Sequence, residues 1–144
     1  MRDIVILIKP WREAEQEAYS IRKRVFIDEQ GVPESMEIDD FDPIAQHALA
    51  YLRDDCIATA RLIALSEQEG QIGRMAVLPA NRRQGIGRQL LNALLGSSKT
   101  HGFTQLKLHA QLSAIPFYAQ FGFIAQGDIY DEAGIAHRDM ILFI

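Results

Sequence analysis

Between residues 11 and 26 the apolar side chains Trp11, Ala14, Ala18, Ile21, Val25 and Phe26 return every three or four positions. Arg12, Glu13, Glu15, Gln16, Glu17, Arg22 and Lys23 fill the gaps. This period predicts an amphipathic helix of about four turns, ended by Gly31-Val32-Pro33. A β-branched run at residues 3–8 precedes it and predicts a first strand. The acidic stretch reaching Pro43 predicts a loop or a short second helix. Residues 45–53 and 56–65 are strand-like runs meeting at Asp54-Asp55, a hairpin signal, and residues 71–78 form a further strand closed by Pro79. The chain then turns through Gly85-Ile86-Gly87 into a helix with Ile86, Leu90, Ala93 and Leu94 on one face, stopped near Gly102. Phe103, Leu106 and Leu108 mark a strand at 103–109. Ser113 is the expected N-cap of a short helix carrying Phe117 and Phe121, with Pro116 tolerated in its first turn and Gly122 at its end. Residues 123–127 and 137–144 are the last strands, around a turn at 131–134.

The order β-α-β-β-β-α-β-α-β-β predicts an α/β (α+β) domain with a mixed, mostly antiparallel sheet of about seven strands. A helix separates the strands at 71–78 and 103–109, so they must run parallel through a right-handed crossover. One parallel pair in an antiparallel sheet marks a place for a crevice at the strand C-termini.

A chain of 144 residues suits one domain, taken as 1–144. The apolar run at residues 4–8 is too short for a membrane span or a secretory leader, so no membrane partner is expected. Cys56 has no second cysteine to pair with, which favours a reducing, cytoplasmic setting. A net charge of −4 argues against a nucleic-acid partner. The apolar tail 140–144 suits either a central strand or the edge of a homodimer.

That net charge hides a segregation. Residues 70–127 contain no Asp or Glu, yet hold Arg74, Arg82, Arg83, Arg88, Lys99 and Lys107. Residues 28–55 instead gather Asp28, Glu29, Glu34, Glu37, Asp39, Asp40, Asp42, Asp54 and Asp55 against Arg53. The first block is expected to attract an anion and the second a cation.

Within the acid-free block, Arg82-Arg83-Gln84-Gly85-Ile86-Gly87-Arg88 links a strand to a helix. Two glycines one residue apart allow a tight bend and close approach to a ligand. The N–H groups of Gln84, Gly85, Ile86, Gly87 and Arg88 would converge at a helix N-terminus, a ready phosphate site. The Walker pattern is absent, and the dinucleotide pattern lacks its third glycine, where Leu90 stands, and its ribose-binding acid. Both nucleotide readings fail.

With Val77-Leu78-Pro79 before it and Leu90-Leu91 after it, Arg82-x-x-Gly85-Ile86-Gly87 resembles the Gln/Arg-x-x-Gly-x-Gly/Ala signature of the GNAT superfamily of N-acetyltransferases. Residues 114–123, Ala-Ile-Pro-Phe-Tyr-Ala-Gln-Phe-Gly-Phe, resemble its second signature. Residues 25–33 and Gly134-Ile135-Ala136-His137 are similar to the ElaA-like branch, so the resemblance spans nearly the whole chain. It implies a splayed parallel pair, helices on both faces of the sheet, and acetyl-coenzyme A as cosubstrate, with no metal. It implies that the loop from Arg82 to Arg88 holds the diphosphate, and that Met75, Ala76 and Val77 line the pantetheine arm. Gln111 stands where many members place a cofactor-contacting asparagine. Tyr118 falls at the position of a tyrosine that protonates the departing thiolate. The acceptor implied is a small-molecule or peptide amine, with the acidic loop at 28–42 as one wall of its site.

Many members carry a glutamate on the strand before the loop as base, but Ile72-Gly73-Arg74-Met75 holds no carboxylate. Glu29, His47, His109 and His137 are the remaining candidates, histidine being suited to proton transfer near neutral pH. The missing carboxylate leaves a second reading open, a coenzyme A-binding sensor or scaffold without chemistry.

Overall fold

Seven runs of alternating side chains assemble one sheet of strand order β1-β2-β3-β4-β5-β7-β6. The computed structural model describes residues 3–144. The strands are β1 (Ile4–Pro10), β2 (Gln46–Leu52), β3 (Asp55–Ala64), β4 (Glu69–Val77), β5 (Gln105–Gln111), β6 (Ile124–Glu132) and β7 (Ile135–Phe143). The helices are α1 (Trp11–Arg22), α2 (Glu34–Glu37), α3 (Ile86–Thr100) and α4 (Ile115–Ala119). Every strand pairing is antiparallel except β4 with β5, as the crossover through α3 requires. Among the described residues no helix is long and apolar enough to cross a membrane.

Successive residues of a strand face opposite sides, and β2 shows the consequence. Ala48 and Ala50 join Ala58, Ala60, Leu62 and Ile72 beneath Ile86, Leu90, Leu91 and Leu94 of α3. Leu49, pointing the other way, packs under Trp11, Ala14 and Ala18 of α1. Helices therefore cover both faces. The alanines let α3 lie close to the sheet, and each of its fully buried leucines contributes about 1.5–3 kcal/mol.

Several local expectations need correction. The first helix does not keep its 3.6-residue period to Phe26. Residues Lys23–Glu29 widen into a π-helix, with the Gln30 amide donating to the Val25 carbonyl at 3.1 Å. The first hairpin turns at Arg53-Asp54, because Leu52 already pairs with Asp55 and Arg53 takes the left-handed conformation. Ser113 lies inside a 3₁₀ turn (Leu112–Ala114), and Ala114 occupies the N-cap of α4 without a side-chain bond. Phe121 lies beyond that helix. The strand expected at 123–127 continues to Glu132, past an irregularity between Gln126 and Tyr130. The tail is a central strand, since β7 lies between β5 and β6.

Strand β4 changes its surroundings along its length. Thr59 pairs with Ala76 and Arg61 with Gly73, so β4 carries one extra residue there, around Arg74 with its φ of 49°. Such a bulge reverses side-chain facing. Ile72 faces α3, whereas Ala76 packs with Ile21 and Val25 on the α1 side. Past that point β4 also loses its other neighbour. Its ladder with β5 covers only Glu69 to Ile72 against Gln105 to Leu108, and the two strands separate beyond it.

Candidate active site

The separation of β4 and β5 opens a cleft of about 420 Å³. Met75, Gln111, Ala114 and Tyr118 line one part of it. Phe26 of the π-helix and Gln30 at its C-terminal cap also line it, with Met36 and Phe41 from the acidic loop and His109, Glu132 and His137 from the far strands. A single-turn change of helical pitch beside a cleft is a recurrent device at functional sites. The structure thus brings Met75, Gln111, Tyr118, His109 and His137 to one cavity. Gln111 donates to Gln30 Oε1 at 2.9 Å.

The Gly-rich loop opens α3 as expected. Gly85 is its N-cap at φ 80°, a conformation that costs other residues roughly 1–2 kcal/mol. No side chain caps this end, and the first bond of the helix is from the Gln89 amide to the Gly85 carbonyl at 3.1 Å. The N–H groups of Gly85, Ile86, Gly87 and Arg88 precede that bond and have no acceptor within the helix. A Cβ on Gly87 would stand 3.5 Å from Phe117 Cζ and 4.0 Å from Met75 Sδ. The loop, α4 and the bulge of β4 therefore touch at one residue.

The arginines divide. Arg83 is exposed with φ 62°. Arg88 bonds Gln120 Oε1 at 2.5 Å and lies over the Phe121 ring. Arg82 is engaged elsewhere: its guanidinium grips both oxygens of Glu29, at 2.7 and 2.8 Å, and the Val77 carbonyl at 2.9 Å. That bond, with the charge of Arg82, holds the Glu29 carboxyl below its ordinary range. Glu29 is consequently a poor proton acceptor, and it does not line the cleft. His47 is also removed from consideration. It is buried against Trp11, bonded to the Asp42 carbonyl at 3.0 Å, and burial lowers its pKa.

The acidic loop is not the exposed cationic trap that its composition suggests. Arg22 bonds Glu37 at 2.8 Å and Asp42 at 2.8 and 3.0 Å. Arg61 bonds Asp39 at 2.7 Å and Asp42 at 2.9 Å, and Arg74 reaches Glu37 and Asp39 at 3.2 Å. Three arginines thus neutralise three carboxylates. Burial alone would raise Asp42, but the hydrogen bonds and charge of Arg22, with the Asp39 amide and Arg61, hold it at about 2. Burial pushes Glu37 up despite Arg22 and Arg74. The basic and acidic blocks of the sequence are in part each other's partners.

Tyr118 is half-buried, its ring edge-on to Phe117 and Phe123. Burial pushes its hydroxyl up to about 12, so it carries its proton at neutral pH. The hydroxyl donates to the weakly accepting sulfur of Met75, at 3.9 Å.

Sequence pattern does not single out Glu132. It lies outside both charge blocks, in a hairpin whose length the pattern underestimates. The available signal is its place two residues before the Gly134-Ile135-Ala136-His137 string.

Comparison with known proteins agrees with this architecture. Residues 12–143 match the family described as Acetyltransferase (GNAT) domain. Protein ElaA of Escherichia coli is 32% identical over 124 residues, covering 83% of this chain and 81% of that one. The crystal structure of Escherichia coli ElaA superposes with a TM-score of 0.85 at 29% identity, covering 95% and 98% of the two chains. The uncharacterized N-acetyltransferase YjcF of Bacillus subtilis is 30% identical over 127 residues, covering 88% and 90%. An acyl-CoA N-acyltransferase from Pseudomonas aeruginosa has a TM-score of 0.85 at 28% identity, covering 96% and 99%.

Proposed function

Because the chain belongs to the GNAT acetyltransferase family and is an acyltransferase, we propose that it transfers the acetyl group of acetyl-coenzyme A to a primary amine by direct attack. The observation that carries this reading is the unpaired edge of β4 in a cleft that also holds Tyr118, next to an uncapped helix N-terminus. The donor set fits an anionic thioester cosubstrate. Amides of residues 84–88 would hold the diphosphate, with the Arg83 and Arg88 side chains adding charge. Backbone groups of Met75, Ala76 and Val77 would pair with the amide-bearing arm as an added strand pairs. When bound, the cosubstrate supplies the activated acyl carbonyl. A backbone N–H near Met75 would polarise that carbonyl, an effect worth about 3 kcal/mol of barrier elsewhere. Tyr118 would donate its proton to the departing sulfur.

The same reading takes residues 1–144 as one domain working in the cytoplasm, with the half-buried Cys56 thiol unpaired and pushed up to about 11 by burial.

The test is a panel of primary amines and peptides with acetyl-coenzyme A, detecting released thiol. Amine-dependent release supports transfer; tight cosubstrate binding without release on any acceptor supports a sensor instead. Gly87→Val tests the loop. Its branched carbons would press on Phe117 and Met75, and coenzyme A affinity is expected to fall at least tenfold by calorimetry. Gly96→Ala, in open space on α3, serves as the control and leaves affinity unchanged.

A further inference from the structure

Three side chains from the far wall of the cleft, His109, Glu132 and His137, meet, and among the described residues no arginine or lysine pairs with Glu132. His109 Nδ1 lies 3.1 Å from Glu132 Oε1, and His137 Nε2 lies 3.6 Å from Glu132 Oε2. Among the described residues these two imidazoles are the ion-pair partners of Glu132. Neighbouring Asp139, 3.8 Å from His109 Nε2, differs, since Tyr130 donates to it at 2.5 Å and Lys107 lies 3.6 Å away. On the acidic loop opposite, the cleft-lining carboxylates Glu37 and Asp39 are paired with Arg22, Arg61 and Arg74. Glu132 is therefore the carboxylate of the cleft left uncompensated while the histidines are neutral.

The tautomer of His137 follows from its other nitrogen. Nδ1 is 2.7 Å from the Ile135 carbonyl, an acceptor only, so Nδ1 carries the hydrogen and donates. Nε2 then presents a lone pair. It faces a carboxylate oxygen, so two acceptors stand 3.6 Å apart with no proton between them. An ammonium seated about 2.9 Å from both would satisfy each with one N–H. His109 holds the other oxygen of Glu132 in place. The sheet register fixes where this happens. His109 is the first β5 residue past the paired ladder, and His137 pairs with Gln111, so both lie where β4 and β5 part.

We infer that Glu132 docks the ammonium of the acceptor and that His137 Nε2 takes its proton, with His109 as the residue positioning Glu132. The inference rests on the acyl-transfer reading above and names the base and amine subsite within it. The ammonium gives one proton to His137. The freed nitrogen lone pair forms the N–C bond to the acyl carbon of the thioester as the C–S bond breaks. The sulfur takes the Tyr118 proton, the second nitrogen proton restores the phenol, and His137 releases its proton to solvent. An alkylamine acceptor, cationic at neutral pH, needs both groups; an arylamine, already neutral, needs neither.

The experiment compares alkylamines such as benzylamine with anilines, in wild type, His137→Gln and Glu132→Gln. His137→Gln should lower kcat/KM for alkylamines about 10²-fold and for anilines less than threefold. Glu132→Gln should raise KM for alkylamines at least tenfold, leave anilines unchanged, and weaken benzylammonium binding to the coenzyme A-loaded protein by a similar factor. Equal losses on both amine classes, or no loss on either, overturn the assignment while transfer itself stands. Because His137 is buried and its variant is open to misfolding, Glu132→Gln in the half-exposed hairpin tests the subsite independently. Wild type that releases no thiol with either class overturns the transfer reading, and this assignment with it.

Discussion

Tyr118→Phe is expected to lower kcat about 10²- to 10³-fold while leaving coenzyme A affinity within twofold. The phenol is pushed up to about 12 by burial, so at neutral pH it is a filled proton donor facing the cleft. It donates to a thioether at 3.9 Å, a weak bond that leaves the donor available. A positioned acid contributes about 10²- to 10⁴-fold to a proton-transfer step, which sets the range. The ring's contacts with Phe117 and Phe123 survive in phenylalanine, so fold and cosubstrate site should persist. Steady-state kinetics and titration calorimetry separate the two effects. An equal loss of turnover and affinity would mean the hydroxyl binds rather than protonates.

Arg22→Ala should produce the largest loss of stability. The guanidinium is 1% exposed and bonds Glu37 (2% exposed) and Asp42 (fully buried), and its removal leaves two carboxylates short of charge. Breaking a buried pair of this kind costs about 3–5 kcal/mol, or roughly 10–15 °C in Tm for a domain of this size. Removing one acid with the arginine (Arg22→Met, Asp42→Asn) leaves Arg61 and Arg74 balanced by Asp39 and Glu37 and should recover part of that. A single-variant loss below about 1 kcal/mol in urea melts would contradict the buried network. The pH dependence has a definite sign. Asp42 is depressed to about 2, so its contribution is complete above its unfolded value near 3.8 and disappears as pH falls towards 2. Glu37 is raised, so it takes up its proton earlier and relieves its own burial cost over the same descent.

The acidic loop shows where reading by composition stops. Nine carboxylates in residues 28–55 suggest a negative surface only if their partners are local. Arg22, Arg61 and Arg74 instead arrive from α1, β3 and β4, far away in the chain. Glu29 fails as a base for the same reason, because Arg82 stands across from it in space. His109 and His137 are visible in the sequence as isolated histidines. Their shared carboxylate is not, since it depends on how β5, β6 and β7 align.

By itself the chain of residues determined the order of strands and helices, the parallel crossover, the Gly85-x-Gly87 bend and the place of Tyr118 in a short helix. Each rests on local rules: a repeat of two or of three to four, a glycine at positive φ, a helix between two strands of one sheet. Tertiary structure alone decided which charges cancel, which survive in the cleft, and where β4 swaps its faces. Those outcomes depend on pairing register and long-range Coulomb contacts, and neither is written in any short stretch of sequence.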